Sequence, residues 1–278
     1  MNINEIKNLN EMNKLRKLYE GVSHLLAAER KLKIVEYVRQ HRVASVGVLA
    51  QEFGVHEATI RRDLAEVEQE GLLKRTHGGV IVEQLMTHNE PSFSERTNVQ
   101  LEQKMRIGKM AASLVEDGDH IIIDSGTTTL HIAKNLVHRS NITVVTNDIN
   151  VAAELRDAPG IKVTVTGGEL YPSSYMLNGM FTDYVLGSLH VSKAFLGTPA
   201  IHPMHGLMHP EAQLVLAKKG MIAAAQEVIV VADDSKVGKL SLHKVAPNSA
   251  IHTLITGKEV PEYDIKPFQD AGINVITV

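Results

Sequence analysis

Residues 121–135 read IIIDSGTTTLHIAKN. Three isoleucines and an aspartate suit a strand buried within a sheet. A small, hydroxyl-rich turn follows at once, and a helical pattern begins behind it. A parallel strand that ends at Asp124 delivers the chain to the carboxyl edge of a sheet, where open α/β folds bind their ligands. There Ser125, Thr127, Thr128 and Thr129 offer hydroxyl groups, and Gly126 lets backbone approach closely. The helix start behind them presents unpaired N–H groups and a partial positive charge to an anion. The stretch contains neither GxxxxGK[ST] nor GxGxxG. It therefore reads either as a cradle for a phosphate or as a plain Ser/Thr-rich helix cap.

Working outward, the same strand–turn–helix pattern recurs from Leu101 to the last residue. Strand-like runs occur at 120–124, 142–146, 161–167, 193–197, 227–233, 251–256 and 273–278, with helical segments between several of them. Alternation of this kind predicts a mainly parallel sheet with helices on its faces. Three further strand ends carry small or polar residues that could converge on one pocket: Thr146 and Asn147, Gly167 and Gly168, and Asp233 with Lys236. Lys236 would supply a point charge to a phosphate; its plainer reading is an exposed lysine after a strand. Asp124, Asp233 and Lys236 would also serve as acid–base groups if the pocket were an isomerase, although no motif places a second carboxylate to shuttle a proton.

Upstream, residues 29–82 have a different grammar. ERKLKIVEYVRQHR places Leu32, Ile34, Val35 and Val38 near helical spacing. In SVGVLAQEFGV, Ser45 is a candidate N-cap and Gly54 a stop. HEATIRRDLAEVEQEG sets Ile60, Leu64 and Val67 on one face, and LLKRTHGGVIV gives strand, Gly-Gly turn and strand. Helix, helix, tight turn, helix and hairpin predict a winged helix-turn-helix. Arg61 and Arg62 fall off the apolar stripe near the start of the third helix, where side chains reach base edges. Glu57 and Thr59 share those first turns. Lys74, Arg75 and His77 of the wing would neutralise phosphates. The blander reading makes Arg61 and Arg62 surface charges paired with Asp63, Glu66, Glu68 or Glu70. Residues 1–28 form a polar extension in which Leu15, Leu18 and Val22 make one weak stripe, and residues 83–100 read as a linker.

The net charge of −3 gives no general support for nucleic-acid binding, so that case rests on the local module. The absence of Trp argues against a stacking platform for single strands. No cysteine is present, which excludes disulfides and thiolate metal sites. No apolar run approaches the roughly 20 residues of a membrane span, and the first residues are too polar for a signal peptide. The expected location is the cytoplasm, without a membrane partner. His202, His205 and His209 stand close together in AIHPMHGLMHPEAQ, but their spacing is no standard zinc motif, and the prolines and glycine predict a loop. Loop histidines, or one contacting a ligand, are the expectation. A metal-responsive site is the alternative, and no cofactor is expected.

ATIRRDLAEVEQEGLLKRTHGGV (58–80) resembles the DNA-binding signature of the DeoR family of bacterial transcription regulators. RIGKMAA, DSGTTT, VVTN, GGEL, AFLG and ADDSKVG resemble that family's C-terminal sensor domain, in the family's order. The resemblance implies a winged helix-turn-helix at 29–82 followed by a 101–278 sensor similar in fold to ribose-5-phosphate isomerase and the CoA-transferase group. It implies that Thr59, Arg61 and Arg62 face the major groove. It implies a phosphorylated sugar or sugar-derived effector, with Glu211 at a commonly acidic position. The function it implies is a repressor of a carbohydrate-use operon; one wing module makes too small an interface for high specificity, so a homodimer or homotetramer on operator DNA is expected, and an isomerase-like enzyme is the runner-up. One departure stands out: the family usually has Ser where this chain has His56, and a poor cap costs about 1 kcal/mol.

Overall fold

The computed structural model describes residues 26–41, 43–69, 73–76, 78–81 and 86–278. Most of the polar extension, His77 and the first residues of the linker lie outside that set. The chain divides into two compact units at Gln84 and Leu85.

In the first unit, α1 (Ala27–His41) is followed by β1 (Val43–Ser45), α2 (Val46–Glu52), α3 (Glu57–Gln69), β2 (Lys74–Thr76) and β3 (Gly79–Ile81). The strands form one antiparallel sheet in the order β1-β3-β2. Sequence reading had no strand at β1, so the hairpin of the wing is in fact a three-stranded sheet. Gly79 sits where this sheet is tightest: a Cβ there would lie 2.2 Å from the carbonyl oxygen of Ala44. The core is Ile34, Val35, Val38, Leu49, Ile60, Leu64, Val67 and Val80, all buried. Leu32, expected inside, is 56% exposed, because the stripe of α1 turns through Ile34, Val35 and Val38. Ser45 caps α2 by accepting from the Val48 amide at 3.2 Å. His56 also caps α3: its Nδ1 accepts from the Ala58 amide at 3.2 Å. An imidazole nitrogen thus does the work expected of a hydroxyl.

The second unit begins with β4 (Met86–Thr87), α4 (Phe93–Thr97) and α5 (Leu101–Ser113). Then come β5 (His120–Ile123), α6 (Leu130–Leu136), β6 (Ile142–Thr146), α7 (Ile149–Leu155) and β7 (Ile161–Val165). A hairpin of β8 (Glu169–Tyr171) and β9 (Met176–Asn178) leads to α8 (Met180–Gly187) and β10 (Val191–Gly197). A second hairpin, β11 (Ala200–His202) and β12 (Gly206–His209), precedes α9 (Val215–Ala224) and β13 (Ala225–Val231). The chain finishes with β14 (Leu240–Ser241), β15 (His243–Ala246), β16 (Thr253–Thr256), α10 (Glu262–Asp270) and β17 (Asn274–Thr277).

Seven parallel strands make the main sheet, in the order β17-β16-β13-β10-β5-β6-β7. Alternate residues serve opposite faces. Ile122, Ala194, Leu196, Val228, Val230 and Leu254 pack on one side with Leu186, Met221 and Phe268. Ile121, Ile123, Val144, Phe195, Ile229 and Val231 pack on the other with Ile107, Ile132, Leu136 and Leu155. The chain runs from β5 outward to β7, then returns to lay β10 on the opposite side of β5. The carboxyl ends of β5 and β10 therefore flank the point where strand order reverses, which is where open α/β sheets leave a crevice.

Candidate functional sites

In the first unit, the buried residues of α3 fix which side chains face out. Glu57, Arg61 and Arg62 are exposed and Thr59 is half-exposed; Lys74 and Arg75 of the wing are exposed. Val46, Gly47, Glu57, Arg61, Arg75, Thr76, Gly78 and Gly79 line one polar concavity between α2, α3 and the wing. Arg61 pairs with Glu57, one helical turn back, at 2.7 Å. The acids proposed to neutralise the two arginines are mostly engaged elsewhere. Asp63 accepts from Arg30 at 2.6 and 3.2 Å, Glu66 pairs with Lys31 at 2.9 Å, and Glu68 accepts from the Arg75 amide at 3.0 Å. Glu70 lies outside the described residues. Arg62 makes no ion pair among them.

In the second unit, a cavity of about 260 Å³ opens at the ends of β5, β10 and β13. Of the residues singled out in the sequence, Ser125, Gly126, Thr127, Thr128, Asp233 and Lys236 line it. Among the described residues the amides of Thr127 and Thr128 donate to no protein acceptor. The other nominated residues stand behind this wall or away from it, and each for a visible reason. Asp124 is fully buried; its Oδ2 accepts from Lys218 and from the Gly197 amide at 3.1 Å, so it holds a lysine rather than facing the cavity. Thr129 turns its hydroxyl back to the Gly126 carbonyl at 2.9 Å. Thr146 donates to the Ile123 carbonyl at 2.7 Å and Asn147 to the Leu177 carbonyl at 3.2 Å. Gly167 and Gly168 make a turn at positive φ, against which Thr182 donates to the Gly167 carbonyl at 2.6 Å. Glu211 opens a 3₁₀ turn and gives its amide to His209 Nδ1 at 3.0 Å. Even Ser125, on the wall, commits its hydroxyl to Asp148 at 2.7 Å.

Asp148, unremarked in the sequence, holds the turn. Its carboxylate accepts from Ser125 Oγ and from the amides of Gly126 at 3.3 Å, Asn150 at 2.6 Å and Val151 at 3.3 Å. Burial pushes its pKa up and these four donors pull it back.

The cations of the cavity were also missed. Lys104 of α5 and Lys218 of α9 are both nearly fully buried yet line it. Each lies on the apolar stripe of its helix, Lys104 one turn before Ile107 and Gly108, Lys218 one turn before Met221. A lysine on the inner stripe was the available signal. Lys218 pairs with Asp124 and donates to the Gly197 carbonyl at 2.8 Å. Lys104 donates to the Arg96 carbonyl at 2.6 Å. Among the described residues neither Lys104 nor Lys236 has a carboxylate within ion-pair distance. Burial, above all, pushes the Lys104 ammonium down to about 8, with repulsion from Lys236 and Arg96 opposing the attraction of Asp233.

Residues read as linker supply another wall. Glu90, Pro91, Glu95, Arg96 and Val99 line the cavity. Arg96 pairs with Glu90 at 2.6 Å and donates to the Pro91 carbonyl at 2.8 Å. Phe93 is buried, and β4 pairs in parallel with β14. The histidines part company. His202 and His209 lie on the strands of a hairpin rather than in a loop, and His202 packs against His205 with ring centres 4.9 Å apart. His209 accepts through Nδ1 and points Nε2 at Glu90, 3.4 Å away, on the cavity wall. With Arg96 and His209 beside it, Glu90 is held down at about 2 against the burial that opposes ionisation. Among the described residues no three His, Asp or Glu converge as a metal site. No described helix is long and apolar enough to cross a membrane.

Comparison with known proteins follows the same division. Residues 30–84 match the DeoR-like helix-turn-helix domain, and residues 99–258 match the DeoR C terminal sensor domain. The chain is 35% identical over 230 residues to the HTH-type transcriptional repressor GlcR of Bacillus subtilis, covering 83% of this chain and 88% of that one. It is 31% identical over 229 residues to the transcriptional repressor AccR of Agrobacterium fabrum, covering 82% and 88%. Among solved structures, ribose 5-phosphate isomerase A from Methanocaldococcus jannaschii aligns over 51% of this chain and 56% of its own, at 19% identity and a TM-score of 0.38.

Proposed function

This chain belongs to the DeoR family, whose members are DNA-binding transcription regulators and not enzymes, and from that premise we propose that it represses a carbohydrate-use operon until a phosphorylated sugar or sugar-derived effector enters the cavity of its second unit. One observation carries the choice of an anion. Lys104 and Lys236 line the cavity without a carboxylate partner among the described residues, beside the unspent amides of Thr127 and Thr128. The buried charge of Lys104 is costly until it is paired, and Lys236 stands half-buried on the same wall, so the arrangement favours a dianionic group. Glu90, Asp233, Thr198 and His209 give the remaining walls hydroxyl-seeking acceptors and donors.

At the DNA end, Thr59, Arg61 and Arg62 of α3 read base edges, and Lys74 and Arg75 contact phosphates. One such module makes too small an interface for high specificity, so a dimer or tetramer on a pseudo-palindromic operator is expected. The relatives named as repressors support the sign of regulation.

The test is a thermal-shift panel of sugar phosphates, each beside its unphosphorylated parent. A member present at about 100 times its Kd should stabilise the second unit by about 2.7 kcal/mol. Stabilisation confined to one phosphorylated compound, and lost in Lys236→Ala, is the expected outcome. A shift by the parent sugars alone sinks the anion assignment.

A further inference from the structure

The segment Met86–Asn98 starts two residues after Gln84, the last residue of the first unit, and it also walls the cavity. Within it α4 is five residues long. A helix of that length is not stable by itself and depends on its ends. Its N-terminus is closed by a capping box between Ser92 and Glu95. At its other end the Arg96 carbonyl accepts from the amides of Asn98 and Val99 and from the ammonium of Lys104, at 2.6 Å for the last. A lysine on a last-turn carbonyl is a helix C-cap. This one is supplied from outside the segment, by α5.

Lys104 is 3% exposed and lines the cavity. It stands between two acceptors: the carbonyl it now caps and any anion that enters. Where water is largely excluded, a full negative charge attracts the ammonium more strongly than a carbonyl dipole does, so an entering anion pulls it from the carbonyl. We propose that Lys104 couples occupancy of the cavity to the Met86–Asn98 segment: an entering anion draws its ammonium off the Arg96 carbonyl, uncaps α4 and loosens the stretch of chain that leads out of the DNA-reading unit. This rests on the anionic effector proposed above, and it adds the route by which binding is felt along the chain.

The experiment is hydrogen–deuterium exchange, followed by mass spectrometry on the full chain, with and without inorganic phosphate. In the wild type, phosphate should slow exchange at residues 125–130 and speed it several-fold at 94–99. In Lys104→Gln, the 94–99 amides should exchange fast from the start. They should ignore phosphate even when enough is added to protect 125–130 to the wild-type extent. Lys104→Arg, which keeps the charge, should restore the response. Protection at 125–130 with unchanged or slower exchange at 94–99 in the wild type overturns the coupling and leaves the effector assignment standing. A wild-type-like response in Lys104→Gln overturns it as well. No protection at 125–130 by phosphate removes the anion site itself, and the coupling with it.

Discussion

Lys104 illustrates how much one side chain can set. Its ammonium is pushed down to about 8 from 10.5, first by burial. The folded value lies below the ordinary one, so the unfolded chain holds more protons between about 8 and 10.5. Lys104 therefore makes stability rise with pH across that window, and its burden is fully present below it. A bound anion does the reverse and raises the group. Binding should then take up a proton above pH 8, and the association constant for phosphate should fall by up to about tenfold per pH unit there. Titration calorimetry from about pH 7 to 9.5 checks this; a slope that survives in Lys104→Met assigns it to another group. Asp148 makes the complementary case, an anion that holds donors in place. Asp148→Ala leaves four donors unpaired, and urea unfolding should show a loss of roughly 1–3 kcal/mol or more, with weaker phosphate binding. Asp148→Asn should lose less, because its amide oxygen still accepts. Neither role was legible in the sequence. A lone lysine or aspartate announces nothing until the fold shows which face it shares, although Lys104 did sit on an apolar stripe.

At the scale of elements, α3 is held from one side and leaves Arg61 and Arg62 exposed on the other. Arg30 of α1 grips Asp63 of α3 with two hydrogen bonds, both side chains at most 10% exposed. Removing one partner of a buried pair costs about 3–5 kcal/mol, so Asp63→Ala should unfold the first unit well before the second, seen as two separated transitions in a melt. Arg61→Ala or Arg62→Ala should leave the melt unchanged and weaken operator binding by about 1–3 kcal/mol each, measured by anisotropy with labelled DNA. Equal loss on non-operator DNA would reassign the residue to phosphate contact. The helices of this unit and the strands of the main sheet were readable because long apolar periods and β-branched runs survive in one dimension. The strand β1 was not: its three residues earn their state only by pairing with β3, some 36 residues on. The 86–98 segment read as linker for a different reason. Its polar side chains face a cavity, and polarity without a period looks the same whether it faces solvent or a ligand.

For the whole molecule, two compact units predict two separable losses. Arg61→Ala should keep the effector-induced thermal shift while losing DNA; Lys236→Ala should keep DNA binding and lose the shift. Loss of both by either variant would mean that the units do not act as separate modules. The order of strands in the main sheet has a further consequence, which lies in time rather than space. The DNA-reading unit draws on residues that are complete by Ile81. The cavity instead joins Glu90 to Lys236, and its central strands β5 and β10 are separated by the whole β6–α8 excursion. N-terminal domains fold first during synthesis, at roughly 5–20 residues per second, and non-local parallel pairing is slow. A chain still on the ribosome thus carries a finished reader for on the order of ten seconds before its sensor can exist. During that interval it is deaf to any effector, and each newborn copy passes through a state that no ligand can reach.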